Sequence, residues 1–488
     1  MQNSDPTFIQ RLSVIAITLF SQEQLKTDHE VIYSFCYYTE HDFQIHNSQT
    51  SKYIFIFNPR YSSMDLAIIF KSITLLLGLY MAWNIGANDV ANAMGTSVGS
   101  KALTLKKAVG LAIIFEFCGA FFVGSSVSQT IQGGIINLNV FEATPHLFVI
   151  GMMGSLLATG ILLQIASYFG LPVSTTHAIV GAILGFGAIV GGIDAIQWNA
   201  MGRISMSWVL SPILSGILSY TIFTLIQQKI LLAYQPILAA KKLTPYFVFL
   251  CFNVVILSLF YRGLIEFDFH LSFNQALLIS CPISLSFALM SRLWLERKMN
   301  VLIYTNTHLH GDIKDQPSLQ SVEQIFAYLQ IISACLVAFA HGANDVANAI
   351  GPVSAVLSAL QTNTLQTHST IPSWLLLLGS MGIVLGLATW GWRVIETIGQ
   401  KITEFTPTRG FSAELGTAAT ILFASKLGLP VSTTHALVGA ICGVGIAQGI
   451  QALNLQTLKE IIISWIVTIP LCAILSIFLF YLLKFIFL

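Results

Sequence analysis

Gly86-Ala87-Asn88-Asp89-Val90-Ala91-Asn92-Ala93 recurs letter for letter as Gly342-Ala343-Asn344-Asp345-Val346-Ala347-Asn348-Ala349. A second octet, Leu171-Pro172-Val173-Ser174-Thr175-Thr176-His177-Ala178, recurs as Leu429-Pro430-Val431-Ser432-Thr433-Thr434-His435-Ala436. The order is kept as well: Asp89 precedes Ser174 by 85 positions and Asp345 precedes Ser432 by 87, so a whole unit is duplicated. Both copies place carboxylates, carboxamides and hydroxyls inside otherwise apolar stretches. Polar groups kept at membrane depth mark a substrate pathway.

The surrounding sequence requires a membrane. Of 488 residues 55% are hydrophobic and only 9% charged, with a mean hydropathy of +0.75; a soluble domain carries roughly a quarter charged residues. Twelve apolar segments follow one another, at 66–94, 108–130, 146–170, 178–193, 204–228, 245–263, 273–292, 323–350, 373–392, 411–427, 436–448 and 461–486. Two pairs of them, 146–170 with 178–193 and 411–427 with 436–448, are separated only by Gly-Leu-Pro-Val-Ser-Thr-Thr-His. That is too short for an ordinary loop, and Pro ends a helix just before itself. Each pair therefore reads as a re-entrant hairpin with its hydroxyls at the tip, a geometry tolerated only where it is buried in protein or lines a cavity.

If each hairpin returns to the side it left, loops 95–107, 229–244, 292–322, 393–410 and 449–460 share one side. They hold fourteen Lys and Arg, whereas the other side, residues 1–63 aside, holds Arg203, Arg262 and Lys484. An excess of Lys and Arg marks the cytoplasmic face, which sends both termini outward. Segment 66–94 then runs inward and its duplicate 323–350 outward, so the repeats are inverted, as in alternating-access transporters. The expected organisation is a polar extension at 1–63, whose Met64 is a plausible alternative start, a first repeat at 64–228, connecting helices and a short cytoplasmic loop at 229–322, and a second repeat at 323–488. The seven cysteines show no CxxC pair and read as small buried hydrophobes.

Ser-Thr-Thr at the start of an apolar helix offers hydroxyls, free backbone N–H groups and the positive end of the helix dipole, which together make an anion site. Two such tips, built from Ser174, Thr175, Thr176 and from Ser432, Thr433, Thr434, would enclose a small tetrahedral oxyanion without an arginine. Asn88 and Asn344 can donate to the same anion. Gly-Ala-Asn-Asp reads as an interruption of its helix, where freed carbonyls and the carboxylates Asp89 and Asp345 suit a hard cation such as Na⁺. A carboxylate beside an anion is repulsive unless a cation or proton lies between them, so one binding event would depend on the other. Glu116 and Glu414 are further intramembrane carboxylates, able to bind the cation, carry a proton or pair internally. Lys426 has Tyr168 as its counterpart, which removes it from the duplicated machinery. His177 and His435 lack zinc spacing and are expected to hydrogen-bond within their own tips.

GANDVANA paired with PVSTTH, each twice, resembles the inorganic phosphate transporter (PiT) family, the phosphate permeases, over about residues 66–486. Met81-Ala82-Trp83-Asn84-Ile85 and Arg409-Gly410-Phe411 through Glu414 fit the same pattern. The resemblance implies an all-α polytopic membrane protein with two inverted repeats, moving inorganic phosphate with a cation by an elevator or rocking motion, commonly as a homodimer. It assigns phosphate to the six tip hydroxyls with Asn88 and Asn344 nearby, and the cation to Asp89 and Asp345. The intact GANDVANA with Glu116 in the next helix is nearer the sodium-coupled members than the proton-coupled ones. The central loop is short, and residues 1–63 have no counterpart; compactness suggests a bacterial inner membrane. No resident cofactor and no nucleic acid are implied. The rival substrates and activities are sulfate carried by the same fold, and a membrane-embedded phosphatase using the His and Asp residues.

Overall fold

The first long helix begins where the apolar run begins. The computed structural model describes residues 63–261, 271–306, 317–362, 365, 370–392, 394–395, 406–449 and 453–488, so the expectations for residues 1–62, Cys36 among them, and for most of loop 393–410 lie outside it. Residues Leu66–Leu488 form one unit, built of α1 (Ser63–Gly99), α2 (Leu105–Val123), α3 (Ser125–Gly133), α4 (Pro145–Tyr168), α5 (Thr175–Gly191), α6 (Trp198–Ile226), α7 (Pro236–Phe260), α8 (Phe273–Asn306), α9 (Pro317–Thr362), α10 (Ser373–Trp390), α11 (Pro407–Lys426), α12 (Thr433–Gln448) and α13 (Leu455–Phe487). Among the described residues there is no sheet, only an isolated bridge between Ile136 and Ile196. Among the described residues eight helices are long and apolar enough to cross a bilayer, nine if the bent pair α2–α3 counts as one span.

Two sequence expectations are corrected. Segment 108–130 is not one helix: α2 and α3 meet at an angle of 62°. There the Ser128 hydroxyl donates to the Gly124 carbonyl at 2.8 Å, the back-bonding that bends helices. The Gly-Ala-Asn-Asp motif, conversely, does not break its helix; α1 runs through it over 37 residues and α9 over 46. The glycines are there for close approach. A Cβ on Gly86 would lie 1.9 Å from the Ile383 carbonyl oxygen, and one on Gly342 2.1 Å from that of Glu116.

These contacts recur with the roles exchanged. Gly386 of α10 faces Trp83 of α1, and Gly119 of α2 faces Phe339 of α9, so the first helix of each half packs on the second helix of the other. The same exchange joins α5 to α13 and α12 to α6. Within the duplicated pair α1 and α9, Gly78 meets Val353 while Asp89 meets His341. Advancing along one helix means retreating along the other, so the two motif helices run antiparallel.

Candidate substrate and cation site

Each hairpin tip is shaped by local chemistry. At the end of α4, Leu171 N–H donates to the Ala166 carbonyl and Gly170 N–H to that of Ser167; Gly170 takes φ +65°, completing a Schellman stop. The end of α11 repeats this with Leu429 to Ala424, Gly428 to Ser425 and φ +68° at Gly428. Proline follows, then a serine N-cap: Ser174 Oγ accepts from His177 N–H and Ser432 Oγ from His435 N–H, both at 3.2 Å. The four threonines begin α5 and α12, and all six tip hydroxyl residues are buried.

The tips meet. Thr176 Oγ1 donates to the Val431 carbonyl of the opposite tip at 3.0 Å. Asn92 Nδ2 donates to Thr434 Oγ1 at 2.9 Å, and Asn348 Nδ2 reaches both Thr175 and Thr176 Oγ1 at 3.3 Å. Each motif helix thus addresses the tip of the other half through its second asparagine, one helical turn beyond the first. Asn88 and Asn344 do something different: their amides hold the backbone of their own tips, Asn88 through Leu171 O at 3.3 Å and Asn344 through Val431 O at 2.8 Å. This is why the helix survives the motif, since these amides bond to tip carbonyls and do not compete for the helix's own.

The histidine rings leave their tips, contrary to the expectation. His177 Nδ1 lies 3.3 Å from the Trp465 carbonyl of α13, and His435 Nδ1 3.3 Å from that of Trp208 in α6. At the third position of α5 and α12 each side chain faces the helix packed against it. The rings contact each other edge to face at 4.4 Å, clasping the two tips together.

The carboxylates divide into two groups. Asp89, Asp345 and Glu116 surround one residue that the sequence reading passed over, His341. Its Nε2 lies 2.9 Å from Asp345 Oδ2 and 3.9 Å from Asp89 Oδ2, and its Nδ1 lies 3.2 Å from Glu116 Oε1. All four side chains are buried. One ligand atom each from Asp89, His341 and Asp345 falls within 4.8 Å of the others. The signal for His341 was its position: it interrupts an apolar run where the first repeat has Ile85.

Glu414 stands elsewhere, about two turns along α1 from Asp89. Its Oε1 accepts from Thr96 at 2.6 Å, Ser97 at 2.7 Å and Gln330 Nε2 at 3.1 Å, and its Oε2 from Ser333 at 2.5 Å. The site is otherwise rich in acceptors. Asp89 Oδ2 and the amide oxygens of Asn88, Asn92 and Asn348 are buried with no hydrogen-bond donor. Buried unpaired acceptors are costly, and carboxylate and amide oxygens are the ligand type that hard cations take. One acid and one tip are joined directly, because Thr433 Oγ1 donates to Asp345 Oδ2 at 3.0 Å.

A helical bundle of membrane-spanning length, with two polar tips and a buried acidic cluster at its centre, defines the class as integral membrane transporters. Residues 85–476 match the phosphate transporter family, and the chain belongs to that family. A Chlamydia trachomatis relative assigned by name to the phosphate permeases is 46% identical over 416 residues, covering 83% of this chain and 96% of its own. The Arabidopsis thaliana chloroplastic inorganic phosphate transporter 2-1 is 44% identical over 444 residues, covering 86% and 75%. A solved structure described as the sodium-dependent phosphate transporter superposes with a TM-score of 0.78 at 38% identity, covering 86% of this chain and all of that one. The family consists of transporters, not enzymes, which removes the phosphatase reading.

Proposed function

We propose that this protein is a secondary symporter that carries inorganic phosphate across the membrane together with a cation, Na⁺ in preference to H⁺. The observation that carries the coupling is the Thr433–Asp345 hydrogen bond. As long as no cation is bound beside it, Asp345 accepts the hydrogen bond of the Thr433 hydroxyl. An anion brought to the tips then meets both a hydroxyl turned away from it and a like charge. A cation among Asp89, Asp345 and the unpaired amide oxygens neutralises that charge and frees Thr433 to donate to phosphate. Binding of each ion therefore favours the other, which is the linkage symport requires.

In this reading phosphate is held by Ser174, Thr175, Thr176, Ser432, Thr433 and Thr434, and Asn92 and Asn348 are the amides closest to it in role. Asn88 braces its tip and presents its unpaired oxygen to the cation, whereas Asn344 acts as a brace through both ends of its amide, its oxygen accepting from the Val431 N–H at 3.4 Å. Glu116 acts through His341, which ties it to the two aspartates. Glu414 is a second cation position: the hydroxyls of Thr96, Ser97 and Ser333 can turn lone pairs to a cation where they now give protons to the carboxylate. The antiparallel motif helices with exchanged contacts support an inverted repeat, and the Lys/Arg count supports termini facing away from the cytoplasm.

Radiolabelled phosphate uptake into proteoliposomes tests the proposal, with an imposed Na⁺ gradient set against an imposed H⁺ gradient and sulfate as competitor. Concentrative uptake that requires Na⁺ and ignores sulfate is expected. Uptake driven by H⁺ alone would reassign the aspartates as proton carriers, and efficient competition by sulfate would overturn the substrate.

A further inference from the structure

α7 and α8 have no counterpart in the duplication, and they form a groove of their own. They pack antiparallel: at one end Tyr261 meets Phe273 at 5.5 Å, and further along Phe252 stacks on Phe287 at 4.0 Å. Toward the other end they border a groove of about 630 Å³. Its walls are apolar, formed by Pro245, Tyr246, Phe249, Leu285 and Leu289, and Lys241, Lys242 and Arg292 line it with Glu296. Because α7 and α8 run in opposite directions, Lys241 and Lys242 near the start of α7 line the same groove as Arg292, which lies near the end of the apolar stretch Phe273–Arg297 of α8. Glu296 answers only Arg292, at 3.2 Å. Among the described residues no carboxylate pairs with either lysine.

An apolar trough along a membrane span, ending in two lysines with no acidic partner among the described residues, beside the Arg292–Glu296 pair, complements an amphiphile with an anionic head. Basic pockets between spans on the Lys/Arg-rich face select anionic headgroups in this way, and the aliphatic stems of lysine and arginine cover the adjoining chain. The charge count places loops 229–244 and 292–322 on that face. We propose that this groove is a binding site for an anionic glycerophospholipid, its phosphodiester held among Lys241, Lys242 and Arg292 and one acyl chain lying between α7 and α8.

The test uses the full chain reconstituted in phosphatidylcholine with a minor fraction of phosphatidylglycerol, followed by extraction and mass spectrometry of the retained lipid. Wild type should retain phosphatidylglycerol at about fivefold or more above its bulk share. Lys241→Gln, Lys242→Gln and Arg292→Gln combined should return it to the bulk share. Leu289→Trp, which fills the trough with all charges intact, should do the same, and inorganic phosphate in excess should displace nothing. The proposal is overturned if wild type retains lipid at the bulk ratio, or if either variant keeps the enrichment. Displacement by inorganic phosphate would equally overturn it in favour of a free anion. So would a dimer that Leu289→Trp dissociates without altering retained lipid, since a second copy would then cover the groove.

Discussion

Asp345 touches both halves of the proposed chemistry, His341 on one side and the Thr433 hydroxyl on the other. Asp345→Asn should lower Na⁺-driven phosphate uptake about tenfold or more, within the usual range of a coupling energy, while the protein still inserts. Asp89→Asn and Thr175→Ala should behave alike in the same assay. Thr433→Val should weaken both phosphate uptake and its dependence on Na⁺, whereas Thr433→Ser, which keeps the hydroxyl, should restore them; a valine variant with unchanged Na⁺ dependence would disconnect this bond from coupling. The aspartates were legible in the sequence because a carboxylate in an apolar run needs a reason. His341 was not, since its significance arises only when α1, α2 and α9 bring Asp89, Glu116 and Asp345 around one ring. For Asn88 and Asn344 the type of residue was informative and the partner was not. Their bonds go to backbone carbonyls 83 and 87 positions away, beyond the reach of any local pattern.

At the scale of elements, the hairpin tips were readable because their determinants are adjacent in sequence: a left-handed glycine, a proline and a serine cap within five residues. Gly170→Ala and Gly428→Ala should each cost about 1 kcal/mol, the strain of a side chain at positive φ, measurable as lowered thermal stability in detergent. The motif helices misled for the opposite reason. Glycine followed by Asn and Asp resembles a break, yet here glycine permits two backbones to approach, and the polar side chains find partners on the tips. Gly86→Ala forces a methyl onto the Ile383 carbonyl and should destabilise by about 3 kcal/mol or more, at the upper end of overpacking penalties. A well-folded Gly86→Ala protein would show that α1 and α10 can separate there. The clasp of His177 and His435 on the carbonyls of α13 and α6 is also a product of packing, invisible before the exchange of helices between halves is known.

The two duplicated halves complete each other: Asn92 and Asn348 reach the tip of the opposite half, and the first and last helices of each half pack on helices of the other. Duplication was evident from the repeated octets; which helix packs on which was not, because helix pairing in a bilayer depends on small-residue contacts that leave little pattern in hydropathy. The proposed sidedness rests on the Lys/Arg count and can be checked chemically. In a background lacking native cysteines, a cysteine at Tyr234, which is 99% exposed, should be labelled from the cytoplasmic face. One at Ile193, 67% exposed, should be labelled from the opposite face; the reverse pattern would invert the proposed topology. Coupling of the cation and anion sites through Asp345 would make phosphate affinity depend on Na⁺, a dependence read by calorimetric titration of the purified chain with phosphate at varied Na⁺ and constant ionic strength. Phosphate affinity is expected to rise about tenfold or more as Na⁺ saturates. An affinity independent of Na⁺ would contradict that coupling.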